Sequence, residues 1–484
     1  VMSYPYDTVI EEPVHKLIDR YNFIGWKSET GELFTWPLTI TKDINIYPCY
    51  EKETITVGSD KMFSTLQDAI DYALPKDTIY VDSGIYEGAT IDKSVIIKGA
   101  NACIEPTKSR NDETTFVSDL IINSSDVLID GVELKGKARF TFDNLSCDIT
   151  TIIFQYCKVS DSTVNANNER NTAPFNLVSN NNYYINNVII DNCLIDRIAD
   201  CRPMAIYIVD VIDLTITNSH FLGGGKTSNY NDAIKVDNFE NANSTFGVKG
   251  NVVIQNNVFR EYSQYAIWFR QYGNGTYTIK HNQFDAIGQT EDSHAAVNFI
   301  KACENINAII NVCENIVNDG YILFRIDEVN TYSKIECSVN ENIMLNCCGT
   351  YYIKNGIKNI LIDANNNYYG SKDISSKKFY GNVDYSSYYE EPINLTGYES
   401  IKLNYNVNTN LNVNDTIEIL YECIGFEDSF VRWSSSDENI AVVPLSITVN
   451  NKTYLDGIEL GHDEFYDMLV KTDDFPKSSQ PSPQ

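Results

Sequence analysis

The sequence predicts an all-β solenoid, with short strands wound into stacked coils around one elongated core. Three observations point there. A motif recurs through the middle of the chain: an apolar pair, a polar residue or two, Asn, any residue, then a large apolar residue. Its copies lie 24 to 38 residues apart, and the runs between them suit strands of three to five residues. A coil of that length cannot bury its own apolar side, whereas stacked coils bury a continuous one. Finally, 484 residues exceed one ordinary domain unless an elongated repeat fold absorbs them.

The good copies are I-I-D-N-C-L (189–194), I-Q-N-N-V-F (254–259), I-K-H-N-Q-F (279–284), S-V-N-E-N-I-M (338–344) and I-D-A-N-N-N-Y (362–368). A weaker copy, I-T-N-S-H-F (216–221), carries Ser219 at the Asn position. With N-I-V at 315–317, the expected corner Asn positions are 192, 257, 282, 315, 342 and 366. An Asn at each corner can hydrogen-bond to its neighbours along the stack.

Taken in chain order, residues 1–52 read as a small strand meander. Aromatic and β-branched residues flank the turn signals S-E-T-G-E and T-K-D. F-I-G-W (23–26), G-E-L-F-T-W-P (31–37) and D-I-N-I-Y (43–47) resemble the internalin-type B-repeat (Listeria–Bacteroides repeat) of bacterial surface proteins. The first strand of that repeat is barely present, so a truncated start is expected.

Residues 53–392 open with S-T-L-Q-D-A-I-D-Y-A-L, one amphipathic helix. Ser64 is its expected N-cap, Leu66, Ala69, Ile70 and Ala73 form its apolar face, and Pro75 stops it. Strand-like runs follow to the end of the segment. The repeated Asn motif, the opening helix and the closing N-N-N-Y-Y-G-S…F-Y-G-N-V-D-Y-S-S-Y-Y-E-E-P (365–392) resemble the pectin-lyase-like group. The resemblance implies a right-handed parallel β-helix with the helix as its N-terminal cap.

Residues 393–470 alternate like strands, and V-R-W-S-S-S-D-E-N-I-A-V-V (431–443) resembles part of a bacterial Ig-like repeat. Residues 471–484, ending F-P-K-S-S-Q-P-S-P-Q, read as a disordered tail.

Between the Asn motifs lies a second strand type: A-I-Y-I-V (205–209), A-I-K-V-D (233–237), A-I-W-F-R (266–270), A-V-N-F-I (296–300), Y-I-L-F-R (321–325) and T-Y-Y-I-K (350–354). Alternation sends the second and fourth residues inward and the third and fifth outward. The expected third-position column is Tyr207, Lys235, Trp268, Asn298, Leu323 and Tyr352. The fifth-position column is Val209, Asp237, Arg270, Ile300, Arg325 and Lys354. Aromatic rings beside charged and amide groups suit a sugar, so Tyr207, Lys235, Asp237, Trp268, Arg270 and Asn298 are the candidate ligand-binding residues. Lys235 as base and Arg270 as carboxylate clamp are the candidate catalytic pair of a polysaccharide lyase. Against that, Asp237 is expected to pair with Arg270. The fold's hydrolase motifs are absent: N-D-A-I-K (231–235) offers Asp232 alone, without G-H-G or R-I-K.

A formal net charge of −29 disfavours nucleic acid and anionic lipid as partners. No apolar run of about 18 residues is present, so no membrane insertion is expected. No cofactor is predicted: calcium lacks a D-x-D-x-D-G loop, and no Cys/His group has zinc spacing. The twelve Cys, scattered through apolar runs, argue against a disulfide framework. The chain opens V-M-S-Y without a signal-peptide pattern, and both ends are expected to be incomplete.

The functional expectation is a secreted or bacterial cell-surface, adhesin-like protein whose β-helix binds glycan or host matrix. A carbohydrate-active enzyme of the pectin-lyase-like fold is one alternative. A phage fibre or tailspike-like virion protein, which the Cys content suits, is the other.

Overall fold

The computed structural model describes residues 4–143, 145–160, 173–179, 183–196, 204–223, 232–237, 247–288, 294–303, 305–327 and 333–390. Beyond these it describes the backbone of strands at 400–404, 420–424, 429–432, 443–449 and 452–460. The Ig-like motif's W-S-S-S-D-E-N-I-A, most of the two long insertions at 160–171 and 223–232, and the tail at 471–484 lie outside the described residues.

The chain divides into two units, Val1–Thr56 and Val57–Gln484. In the first, Thr8–Ile10 pairs antiparallel with Leu38–Ile40, and Tyr21–Lys27 with Tyr47–Lys52. The second pair carries a bulge between Phe23 and Gly25. Its centre is aromatic: His15 stacks on Phe23 at 3.9 Å, and Tyr50 and Trp26 meet Phe23 edge-on at 5.4 and 5.8 Å. So small a unit has little aliphatic core, and a few large rings supply most of its apolar contact.

The second unit is a parallel β-helix. Its helix spans Leu66–Tyr72 and buries Leu66, Ala69 and Ile70. The N-cap is Thr65, one residue beyond the expected Ser64. The Thr65 hydroxyl accepts from the Asp68 backbone N–H at 3.2 Å and donates to the Asp68 carboxylate at 2.6 Å. At the other end the Lys93 ammonium donates to the carbonyls of Ile70, Asp71 and Ala73 at 2.9, 2.7 and 3.1 Å, placing a cation where the helix dipole favours one.

Each coil then contributes three strands, for example Ile206–Val209, Val211–Thr217 and His220–Leu222. Each pairs in parallel with its counterpart one coil on. The last strands of the coils, such as His220–Leu222, form a twelve-stranded sheet, and the other two faces share a twenty-three-stranded one. The second-face strands, such as Ile185–Asp191, Val211–Thr217 and Val248–Gln255, are longer than the expected three to five residues, and Tyr265–Lys280 runs unbroken through two faces.

The core is three columns of inward side chains held in register. On the first face the column runs Phe175, Ile206, Ile234, Ile267, Val297, Phe324, Ile353. On the second it runs Phe154, Ile190, Ile216, Ile254, Ile279, Val312, Val339. On the third, Phe221 stacks on Phe259 at 4.8 Å and Phe259 on Phe284 at 5.1 Å, with Val317 and Met344 continuing the column. All of these are buried. Burying each such side chain is worth about 1.5–3 kcal/mol.

The corner between the second and third faces holds the Asn ladder. Each step has the same geometry: the Oδ1 of one Asn accepts the backbone N–H of the residue one coil before. The steps run Ser219 to Asn257 (2.9 Å), Asn257 to Asn282 (3.0 Å), Asn282 to Asn315 (2.9 Å), Asn315 to Asn342 (3.0 Å) and Asn342 to Asn367 (2.9 Å). The ladder begins where the Cys193 N–H donates to the Ser219 hydroxyl at 3.0 Å. It ends at Asn367, whose Nδ2 meets the Tyr369 hydroxyl at 3.0 Å.

This corrects two expected positions. Asn192 and Asn366 are not rungs. They sit one residue earlier, in the left-handed conformation, with φ of 51° and 59°. Asn218, Asn256, His281, Glu314 and Glu341 share that column of positive φ. The rungs are Cys193 and Asn367. Both errors are one-residue slips, which arise because Asn suits the left-handed turn as well as the rung.

In the strands at 400–460 the order is 429–432, 420–424, 400–404, 443–449, 452–460. The contact between 400–404 and 443–449 is parallel and the rest are antiparallel.

The ladder gives the first prediction. Asn315 accepts from the N–H and Nδ2 of Asn282 and donates to the carbonyls of Ile279 and Cys313 and to Asn342 Oδ1. Asn315→Leu keeps the size but removes the acceptor of the buried Asn282 N–H and a donor to the Ile279 carbonyl, at roughly 1–3 kcal/mol per group. Urea unfolding should show a loss of about 3 kcal/mol or more. A change within error would mean that the ladder is not a source of stability.

Candidate functional site

The outer side of the first face collects the candidate residues. Its strands place Asn176, Tyr207, Lys235, Trp268 and Asn298 in one register column. To this point the observed column and the expected one agree.

Beyond Asn298 they part. Asn298 pairs with Arg325, Arg325 with Lys354, and Lys354 with Tyr380. Leu323 and Tyr352, expected there, are displaced by two residues, and Leu323 is fully buried. The cause is the uniform run I-L-F in Y-I-L-F-R: with three apolar residues in a row, alternation does not fix the register. Pairing Phe324 with Val297, and so Arg325 with Asn298, is the arrangement the sheet adopts.

The second correction concerns exposure. Tyr207, Lys235, Asp237 and Asn298 do project to the outer side, but all four are buried. A second, smaller apolar layer lies outside the sheet. Tyr207 and Val209 pack with Ala173 and Met204. Tyr265, Ala295 and Ile322 form another cluster, with Trp268 and Tyr321 against it. Those residues come from the strand ends and turns, which strand periodicity does not report.

Trp268 is the centre of the site. The Lys235 ammonium lies over its indole at 4.6 Å from the ring centroid, and the Arg270 guanidinium lies 6.0 Å away. Tyr265 packs on it at 4.8 Å and 35°, and His294 meets Tyr265 edge-on at 5.6 Å. Gln264 Nε2 lies 3.4 Å from His294 Nε2. The indole is therefore not the open platform that a pyranose would stack upon. It is an edge, set among cations.

Arg270 pairs with Asp237 as expected, Nη1 donating to Oδ2 at 2.9 Å. Arg325 pairs with Asp327 at 2.5 Å. Holding an ammonium over an indole by cation–π attraction, and a guanidinium in an ion pair, suits binding better than proton abstraction.

Side chains in this column carry buried polar atoms without a hydrogen-bond partner, Asn176 at its Oδ1 among them. Both Oδ1 and Nδ2 of Asn298 are buried without a hydrogen-bond partner, and so is Nε1 of Trp268. Neither was distinguishable by sequence. An Asn at an outward strand position reads the same whether bonded or not. Tyr265 and His294 are the site neighbours that sequence reasoning missed, while Arg325 and Lys354, expected in the fifth-position column, stand in the third-position one.

No group of three or more His, Cys, Asp or Glu poised for a metal occurs among the described residues. No helix among them is long and apolar enough to cross a membrane.

Comparison with known proteins adds the following. A family model described as an uncharacterised protein of the DegV family matches residues 434–484, overlapping the segment that resembles an Ig-like repeat. No curated protein matches the chain. Among solved structures, the tailspike protein gp49 of Acinetobacter baumannii bacteriophage Fri1, a capsular polysaccharide depolymerase, is similar at 12% identity and a TM-score of 0.36. That match covers 74% of this chain and 66% of that one. The surface protein and adhesin PfbA of Streptococcus pneumoniae is similar at 12% identity and 0.29, covering 66% and 93%. A pectin methylesterase of Aspergillus niger is similar at 12% and 0.23, covering 65% and 84%.

The ion pair gives a second prediction. The Asp237 side chain is 3% exposed and that of Arg270 is 44%. Removing Arg270 strips a partner from a buried carboxylate, whereas removing the Asp237 charge leaves a guanidinium that solvent can reach. Arg270→Met should therefore cost about 1–2 kcal/mol by urea unfolding, more than Asp237→Asn. The reverse order would show that the pair does not hold this part of the face.

Proposed function

We propose that the chain is an adhesin-like β-helix protein, secreted or carried on a bacterial surface, and that the outer side of its first face binds a glycan. The carrying observation is the register column Lys235–Trp268–Asn298–Arg325. It puts an indole, two cations and an amide side by side on a chain whose net charge is −29. Sugars are held by such mixtures, with apolar edges against C–H groups and a few convergent polar groups for the hydroxyls.

The flanking segments support the same reading. A B-repeat-like meander before the β-helix and an Ig-like strand pattern after it are the kind of small modules that carry a binding domain away from a surface. Host-matrix glycan is then the partner expected. A lyase at the same place has less in its favour, because Lys235 and Arg270 are both engaged, with Trp268 and Asp237 respectively.

A glycan array with the full chain and its Trp268→Ala variant tests this reading. The wild type should bind a restricted set of glycans, and the variant at least about tenfold more weakly, as expected for loss of a central aromatic contact. Retention of every hit by the variant would move the binding surface elsewhere. An array without any hit would refute a glycan-binding role.

A further inference from the structure

We propose that the open platform of the first face is the ledge of Tyr351, Lys354 and Tyr380 at the end of the same register column, and that it takes an uncharged hexopyranose by its C–H face. This rests on the glycan reading above and places the ring contact away from Trp268, whose indole is an edge.

The column that holds Trp268 continues through Asn298, Arg325 and Lys354 to Tyr380. Its outer side is covered at the start and open at the end. Tyr207, Lys235 and Asn298 are buried, whereas Tyr380 is 48% exposed. Tyr351 and Lys354 are half-buried beside it. A ligand can therefore reach Tyr380 from solvent without any rearrangement.

The ledge is separate from the aromatic plug beneath it. Phe379 lies in register with the buried Ile353 and packs with Tyr352, Tyr369 and Tyr385. Tyr380 alternates to the other side of the strand. There the Tyr351 ring meets it at 5.5 Å and 60°. The Lys354 ammonium lies 5.8 Å from both ring centroids. Cation–π attraction to two rings keeps its N–H donors at the ledge.

The chemistry of the ledge selects its ligand. A phenol ring covers the apolar C–H face of a pyranose, while the ammonium and the phenol hydroxyls serve the sugar's hydroxyls. A polyanion is disfavoured by the net charge of −29. A wholly apolar partner would desolvate the ammonium and the phenol hydroxyls without pairing them. An uncharged sugar meets neither penalty.

The test presents lacto-N-tetraose, cellotetraose and galactotetraose, with sialylated lacto-N-tetraose as the anionic counterpart, to the full chain on an array. The wild type should bind at least one uncharged member. Tyr380→Ala should weaken that binding about tenfold or more, as for loss of a central aromatic contact. Tyr380→Phe keeps the ring and should stay within about threefold of the wild type. The melting temperature of Tyr380→Ala should stay close to that of the wild type, because the side chain lies outside the core. Tyr351→Ala serves as the second variant should Tyr380→Ala fail to fold, which circular dichroism reports. Unchanged binding by the alanine variants, a Phe variant as weak as the Ala variant, or binding of the sialylated member alone overturns the inference. If Trp268→Ala loses its glycans and Tyr380→Ala keeps them, the surface at Trp268 stands and this inference falls. If Tyr380→Ala loses them and Trp268→Ala keeps them, the ledge stands and the contact at Trp268 falls. If the wild type binds no glycan at all, both fall.

Discussion

Every coil of this molecule must turn a corner between its second and third faces, and the corner is where a β-helix is hardest to hold. The left-handed residue that makes the bend takes the next backbone N–H out of both sheets. Side-chain carbonyls of Asn supply the missing acceptor, one coil along, from Ser219 to Asn367. Each rung both bonds its neighbour's backbone and fixes its neighbour's height, so the ladder sets register as well as satisfying polar groups. The three stacked cores then follow, because apolar columns pack only when successive coils are in phase.

That phase is also what creates the site. With the corner locked, the strands on the first face are stacked at a spacing of about 4.8 Å. Outward side chains become neighbours across coils although they lie some thirty positions apart in sequence. Lys235 reaches Trp268, and Arg270 reaches back to Asp237, by this route alone. Charge placed this way is partly desolvated and acts more strongly than it would on an open surface.

Much of the fold was legible because its signals are periodic. The Asn motif, the short strands and the amphipathic helix each declared themselves, and the in-register stacking of Tyr207, Lys235, Trp268 and Asn298 was readable as well. What failed did so for local reasons. Asn192 and Asn366 mimic rungs because one residue type serves two adjacent backbone roles. Leu323 mimics an outward residue because three apolar neighbours blur alternation. The burial of Lys235 and Asn298 was not legible at all. The same face also carries apolar clusters that include Met204, Tyr265, Ala295 and Ile322, residues outside the periodic pattern.

The contrast between two asparagines in this one chain bears most directly on function. Asn315 and Asn298 are both fully buried, the first at the corner between two faces and the second in a strand of the first face. The Asn315 amide accepts from Asn282, and its two N–H bonds are shared among the Ile279 and Cys313 carbonyls and Asn342 Oδ1. Asn298 does neither. In the ladder, burial of an amide is offset by the bonds that define the fold. On the first face the same burial has no structural return, and Val or Leu would satisfy the sheet and the outer cluster better. An amide kept under those conditions is a cost in stability carried at one position, beside an indole and two cations.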